Sequence, residues 1–183
     1  GAFMSMLGVA FLNEIVNKDL ITEPDAILNH LREKVIQALQ QQGISGEARD
    51  GMDIALVCID TKEKKLQYAG AYNPLIMIRN NEIFETAGDK MPIGIYEKMD
   101  PFTKHEINLE KGDVLYMASD GYEDQFGGPD GKKFKAKKFK QMLLEIHKYP
   151  MNSQKEIIER LFEEWKGDLQ QVDDIVVTGI AIK

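Results

Sequence analysis

The sequence predicts a layered α+β fold, and three observations carry that prediction. Two helical patterns fill the first forty residues. A run of short strand-like segments occupies the middle, to about Ala118. Helical patterns return after Lys135, and the chain closes on an apolar strand, Ile175–Ile182. Helices, an antiparallel run, further helices and a last strand fit an α+β class better than alternating βαβ units. The last strand must pair with distant partners. A β-sandwich of two antiparallel sheets with helices outside would cover every apolar face. The chain has 183 residues, of which 43% are hydrophobic, and no Pro/Gly/Ser-rich linker divides it. One domain over 1–183 is the expectation.

Taken in order, residues from about Ala2 to Asn17 read as a helix that is apolar on most sides and buried on more than one face. It starts without a capping residue. Thr22-Glu23-Pro24 is a helix start, since proline suits the first turn. Ile27, Leu28, Leu31, Val35, Ala38 and Leu39 then keep the i, i+3/i+4 spacing, with His30, Arg32, Glu33, Lys34 and Gln37 on the other face and Gly43 as the stop. Ile54–Ile59 is a continuous apolar run and reads as a central buried strand. Lys62–Lys65 is a solvated turn. Leu66–Ala71, Leu75–Arg79 and Glu82–Glu85 read as hairpin strands, with Asn80-Asn81 turning the last pair. Phe102–Leu109 alternates weakly, and Val114–Ala118 is another buried strand after the turn Glu110–Asp113. Phe139, Met142, Leu143 and Ile146 form one helical stripe. Ile157, Ile158, Leu161, Phe162 and Trp165 form a second.

The formal charge is −7. An acidic surface repels phosphate backbones and anionic lipid, so nucleic acid and membrane surfaces are poor partners. The lone cysteine, Cys58, sits in the apolar run and reads as a structural thiol. Without a disulfide framework, a bilayer-length apolar stretch or a recognisable leader, the expected location is the cytoplasm.

Few catalytic signatures are present. There is no G-x-S-x-G elbow. Gly127–Lys133 is one residue short of a P-loop, lacks the following Ser/Thr, and reads as a turn. His30, His105 and His147 are scattered and read as surface histidines. The carboxylates stand out by position. Asp120 directly follows an apolar strand, in Ala118-Ser119-Asp120-Gly121. Asp173 and Asp174 directly precede another. Carboxylates at the ends of core strands can converge at one rim of a sheet, where hard cations such as Mg²⁺ and Mn²⁺ take oxygen ligands and keep several waters. Gly121 would allow close approach of backbone or water. Taken alone, each pair reads better as a turn and a solvated lead-in to a strand.

Their flanks change that balance. Tyr116-Met117-Ala118-Ser119-Asp120-Gly121-Tyr122-Glu123-Asp124-Gln125-Phe126-Gly127 resembles the Ser-Asp-Gly motif of the type 2C metal-dependent protein phosphatases, in the bacterial branch typified by stage II sporulation protein E. Gln171-Val172-Asp173-Asp174-Ile175-Val176-Val177 resembles that branch's closing Asp-Asp motif. Asp50–Leu56, Tyr68–Pro74 and Met91-Pro92-Ile93-Gly94 resemble its two central strands and its usual loop. The five motifs lie in the family's order along essentially the whole chain.

The resemblance implies a sandwich of two antiparallel sheets flanked by helices, and hydrolysis of phosphoserine or phosphothreonine. Two Mn²⁺ or Mg²⁺ ions would activate a bridging water and offset phosphoryl charge. By the same resemblance Asp120 and Asp173 are metal ligands, with Gly121 and Asp174 as supporting neighbours. Asp124 falls where the family can hold a further, weaker metal, or it is the first turn of a short helix. The family places an Asp-x-x-Gly-His-Gly type motif just before the run resembling Gly1–Met6. This chain is therefore expected to begin after that motif, to bind metal weakly, and to be weakly active or inactive. The implied partners are a phosphorylated regulatory protein, such as an anti-sigma-factor antagonist, and an upstream sensor or receiver domain. Exposed sheet edges would favour a homo-oligomer. A non-catalytic binding domain with the same fold is the alternative.

Overall fold

The computed structural model describes residues 2–43 and 50–183; Gly1 lies outside them. In chain order the elements are α1 (Ala2–Asn13), α2 (Pro24–Ala38), β1 (Ile54–Asp60), β2 (Lys65–Ala71), β3 (Leu75–Arg79), β4 (Glu82–Thr86), β5 (His105–Asn108), β6 (Val114–Ala118), α3 (Gly121–Asp124), β7 (Phe126–Gly127), β8 (Lys132–Lys133), α4 (Ala136–Ile146), α5 (Met151–Lys166) and β9 (Val177–Ala181). They form two compact units. One holds the residues up to Pro74 with Ala87–Leu109; the other holds Leu75–Thr86 with Glu110–Lys183.

In the first unit β1, β2 and β5 form an antiparallel sheet in that order. Helix α2 lays Ile27, Leu28, Leu31 and Val35 into a core with Ala69 and Ala71 of β2. Pro24 opens α2 as its spacing predicts. The helix ends at Ala38, well before Gly43, because the backbone turns to positive φ at Gln40. Arg32 does not stay on the polar face. It is buried, its guanidinium donates to the Asp100 carbonyl at 2.9 Å and to Asn29 Oδ1 at 3.1 Å, and it stacks over Phe102.

Three further expectations are corrected in this unit. Helix α1 gives way to a π-helical turn, Glu14–Lys18, that buries Ile15. It is covered on one side only, with Phe3, Met6 and Val9 exposed. Strand β1 is an edge strand with half-buried residues, and β2 is the central one. Strands β2 and β3 are not a hairpin, because they belong to different sheets.

Two of the family-like segments pair here. Met52 and Ile93 exchange backbone hydrogen bonds of 3.1 and 2.9 Å, which joins Asp50–Asp53 to Met91–Gly94. Gly70 is required by close approach: the Tyr68 ring folds over it to donate to the Asn73 carbonyl at 2.6 Å, and a Cβ there would meet the Tyr68 hydroxyl at 2.1 Å. Cys58 is half-buried, its Sγ donates to the Thr22 carbonyl, and burial pushes its thiol pKa up. That is the structural thiol its apolar run predicts.

The second unit is built on a four-stranded antiparallel sheet of order β4-β3-β6-β9. Strands β3 and β4 form the predicted hairpin, with Asn80 and Asn81 both at positive φ, as a two-residue turn between twisted strands demands. Ile76, Ile78, Val114 and Tyr116 face the stripes of α4 and α5, where Phe139, Leu143, Ile146 and Phe162 complete the core. Leu75, Met77 and Leu115, on the other face, are buried too. Burial on both faces accounts for the continuous apolar runs of β3 and β6. Gln154 is 2% exposed; it accepts the Tyr116 hydroxyl at 2.6 Å and donates to the carbonyls of His147 and Tyr149. The final strand is not buried. It is the edge of this sheet, and Thr178 and Gly179 are exposed.

Asp113, 1% exposed, accepts both arms of the Arg79 guanidinium at 2.7 and 2.6 Å and the Glu110 N–H at 2.8 Å. Burial pushes its carboxyl up, but the bonds from Arg79 and Glu110 outweigh burial and hold it below the ordinary value. A carboxylate depressed in the folded state adds stability above its unfolded pKa, and that stability is lost as pH falls through the folded value. Asp113→Asn is expected to cost about 2 kcal/mol, because it removes the buried charged acceptor of both guanidinium arms while Arg79 keeps its ion pair with the exposed Glu110 at 2.8 Å. Urea unfolding should show this as a lower midpoint with unchanged slope at pH 7, and the difference between variant and parent should shrink below the ordinary carboxylate range.

Candidate functional site

Strands β6 and β9 lie side by side and antiparallel, with Ala118 opposite Val177. The C-terminal end of β6 therefore meets the N-terminal end of β9, and the residues just beyond each strand share one rim of the sheet. The backbone continues the ladder one step further, with the Ser119 N–H donating to the Val176 carbonyl at 3.0 Å. The Ser119 hydroxyl clamps the two segments: Oγ donates to the Asp174 carbonyl and accepts the Val176 N–H, both at 3.0 Å. Gly121 closes the contact. A Cβ at that position would stand 2.5 Å from the Asp174 carbonyl oxygen, so only glycine fits.

Asp120 holds the N-cap position of α3, yet its carboxylate makes no capping bond and is exposed at the rim. Asp173 is exposed on the facing segment, where its Oδ1 accepts the Asp174 N–H at 2.7 Å and its carbonyl accepts from Gln171. Asp120, Gly121, Asp173 and Asp174 thus come from sequence-distant segments to one rim. Asp124 lies one turn along α3, its N–H bonded to the Asp120 carbonyl and its carboxylate paired with Lys133 at 2.9 Å. It is the last residue of that short helix. His30, His105 and His147 are not at this rim. His105 packs on Tyr68 in the first unit, and His147 bonds the Leu144 carbonyl at the end of α4.

Two residues that the sequence reading passed over stand out beside this rim. Gln125 is fully buried; its Nε2 donates to the Gln170 carbonyl at 3.0 Å and its Oε1 accepts the Val172 N–H at 3.2 Å. It positions the segment that carries Asp173. Glu123 is the other. Burial pushes its carboxyl above the ordinary value, Lys140 opposes that, and Glu85, Asp120 and Asp124 add to it. The signal in the sequence was the polar run Glu123-Asp124-Gln125 between two aromatics, Tyr122 and Phe126, but nothing in it told which of these side chains would turn inward.

As donors for a metal ion, these groups fit in kind. Hard oxygen ligands at a solvated rim suit Mg²⁺ or Mn²⁺, which bind through one or two carboxylates and keep their waters. They do not fit in number for a two-ion centre, because among the described residues no three acidic, histidine or cysteine groups converge.

The sequence profile of the family described as stage II sporulation protein E (SpoIIE) matches residues 1–183, the whole chain. The chain belongs to the SpoIIE family. Among solved structures, this SpoIIE-family chain is similar to the SiaA-PP2C domain of Pseudomonas aeruginosa, with a TM-score of 0.88 and 28% identity over 100% of this chain and 70% of that one. It is also similar to the phosphatase domain of the cell fate determinant SpoIIE from Bacillus subtilis, with a TM-score of 0.52 and 17% identity over 96% and 73%. A third is the PPM Ser-Thr phosphatase MsPP from Mycobacterium smegmatis in complex with cacodylate, with a TM-score of 0.65 and 13% identity over 99% and 82%. Comparison with curated proteins gave no match. The expected fold class holds: helices and antiparallel sheets with the PP2C phosphatase fold. Family and fold together mark the SpoIIE-family chain as a protein phosphatase domain.

Replacing Gln125 by Ala in the SpoIIE-family chain should cost about 2–3 kcal/mol, since it leaves the Gln170 carbonyl and Val172 N–H unpaired. Hydrogen exchange should rise first at 170–176 and leave the first unit unchanged. Unaltered protection of that segment would remove Gln125 as its anchor.

Proposed function

We propose that the two units together form one protein serine/threonine phosphatase domain, 1–183, which hydrolyses phosphoserine or phosphothreonine on a regulatory protein. The single observation that carries the reading is the shared rim of β6 and β9, where Asp120 and Asp173 stand exposed on segments clamped by Ser119 and Gly121. Asp120 and Asp173 would hold Mn²⁺ or Mg²⁺. Asp124 would contribute to a further, weaker ion only by releasing Lys133. The metal, when bound, supplies an activated water and offsets phosphoryl charge.

The chain's own residues do the rest. Gly121 and the Asp174 backbone keep the two carboxylate-bearing segments in contact. Ser119 fixes their register. With two carboxylates at the rim, metal binding by this stretch alone is weak and turnover slow.

The phosphorylated partner would be a regulator such as an anti-sigma-factor antagonist, under control of a sensor or receiver domain upstream. Among the described residues no helix is long and apolar enough to cross a membrane, and we place the activity in the cytoplasm. A calorimetric Mn²⁺ titration with p-nitrophenyl phosphate turnover tests the reading. One weak ion and slow turnover, both lost in Asp120→Asn and Asp173→Asn, are expected. Absence of both in the folded parent would favour a non-catalytic binding domain.

Self-association follows from the edge strand. Even-numbered residues of β9 give their backbone groups to β6, as the bonds at Val176 and Ile182 fix, leaving those of Val177, Gly179 and Ala181 at the edge. The strand carries no charge and no proline to protect it. An open groove of about 800 Å³ lies between it and α5, lined by Met151, Ile158 and Phe162 among others. A second copy pairing β9 with β9 would cover both. Sedimentation equilibrium should show a dimer that Thr178→Lys weakens; a monomer at all concentrations would rule the pairing out.

A further inference from the structure

Six of the nine residues from Lys132 to Lys140 are lysines and none is acidic, in a chain whose net charge is −7. The fold does not account for this concentration. Lys135 is the N-cap of α4, and Lys137 and Lys138 lie in its first turn, where the helix dipole disfavours cations. Lys135 also holds a positive φ of 73°, an uncommon conformation for a residue with a side chain. Some of the six are occupied: Lys132 by Asp130, Lys133 by Asp124, Lys140 by Glu85, and Lys138 over the Trp165 ring at 3.6 Å. Lys135 and Lys137 are exposed and have no ion-pair partner among the described residues.

The strip is fastened to the candidate site. The Lys135 N–H donates to the Glu123 carbonyl at 2.7 Å, and the Phe134 N–H to the Gln125 carbonyl at 3.0 Å. Both acceptors lie on or next to α3, the helix whose N-cap position Asp120 holds. Four residues of helix span about 6 Å, so the free lysines lie within reach of the residues flanking a phosphate at Asp120.

We infer that this lysine strip docks an acidic segment of the phosphoprotein substrate, next to its phosphorylated residue, with Lys135 and Lys137 as the principal contacts. The inference rests on the phosphatase reading above. A protein segment suits the strip better than nucleic acid or lipid. The interleaved aromatics Phe134 and Phe139 are buried in the core and offer no face for stacking bases. The acidic remainder of the chain repels an extended polyanion but tolerates a short acidic peptide on one patch.

The test uses fluorescence anisotropy with phosphoserine peptides whose flanks are acidic or neutral, on the 183-residue chain and on the K135E/K137E variant. The acidic peptide should bind roughly tenfold tighter than the neutral one at low salt, and the preference should fall as salt rises and vanish in K135E/K137E. Turnover of p-nitrophenyl phosphate should be the same in both proteins, since that small substrate needs no docking. Should the reversal impair folding, K135Q/K137Q carries the same comparison with a smaller loss. Equal affinity for the two peptides, or a preference untouched by the substitutions, overturns the inference. So does equally strong, equally lysine-dependent binding of polyuridylate or phosphatidylserine vesicles, or a lysine-dependent dimer in sedimentation. Absent turnover with intact, lysine-dependent peptide preference would instead sink the phosphatase reading and leave the docking strip standing.

Discussion

The candidate site exists because β9 pairs with β6. The two strands are separated in sequence by α3, α4 and α5, and the antiparallel register that sets Ala118 against Val177 decides which end of each strand faces the other. A slip of one residue would turn every side chain of β9 to the other face and carry Val177 out of the core it shares with Ala118 and Ile175. The ladder runs from Ile182 opposite Asp113 at one end to Val176 opposite Ser119 at the other. Beyond that last rung, hydrogen bonds from the Ser119 hydroxyl and a contact that only glycine permits carry the pairing into the loops. Position 121 and position 174 are thus coupled through backbone, where side-chain substitution elsewhere can do little to compensate.

Around this ladder the second unit spends buried polar groups on connections. Gln154 ties β6 to the turn between α4 and α5, Gln125 ties the end of α3 to the segment before β9, and Asp113 ties β3 to the turn before β6. Each satisfies several partners at once. Inside a protein such groups are costly unless fully bonded, so each favours one arrangement of the segments it joins. The aromatic cluster of Tyr122 with Phe134, Phe139 and Phe162, at ring separations of 5.0–5.2 Å, anchors α3 from beneath and so fixes where Asp120 emerges. The lysine strip is bonded to the same helix and the residue after it, which gives the strip and the rim a common support.

The family-like motifs divide by role in the structure. Ser119-Asp120-Gly121 and Asp173-Asp174 make the rim. Tyr68–Pro74 and the pair Asp50–Asp53 with Met91–Gly94 are explained by packing and backbone approach in the first unit: a tyrosine folded over a glycine, and a two-residue bridge whose glycines lie against backbone and proline. A motif match therefore does not by itself separate residues that act from residues that let the chain turn.

By itself the sequence determined the elements and the chemical kind of the site. Apolar periodicity located α4, α5, β3 and β6 because side-chain spacing along one segment is a local property. The Asn80-Asn81 turn was legible for the same reason, since a positive φ is the residue's own preference. The acids flanking two apolar strands, read with their neighbours and with three further motifs in the same order, were enough to name the family. Tertiary structure decided the rest. An apolar run looks the same at the centre of a sheet and at its edge, so the sequence misjudged β1 and β9, whose burial depends on neighbours far along the chain. It placed Arg32 on a polar face because the Asp100 carbonyl and the Phe102 ring that receive it lie elsewhere in the chain. It could not single out Ser119, Glu123 or Gln125, because what each side chain does depends on a partner brought close only by the pairing of β6 with β9.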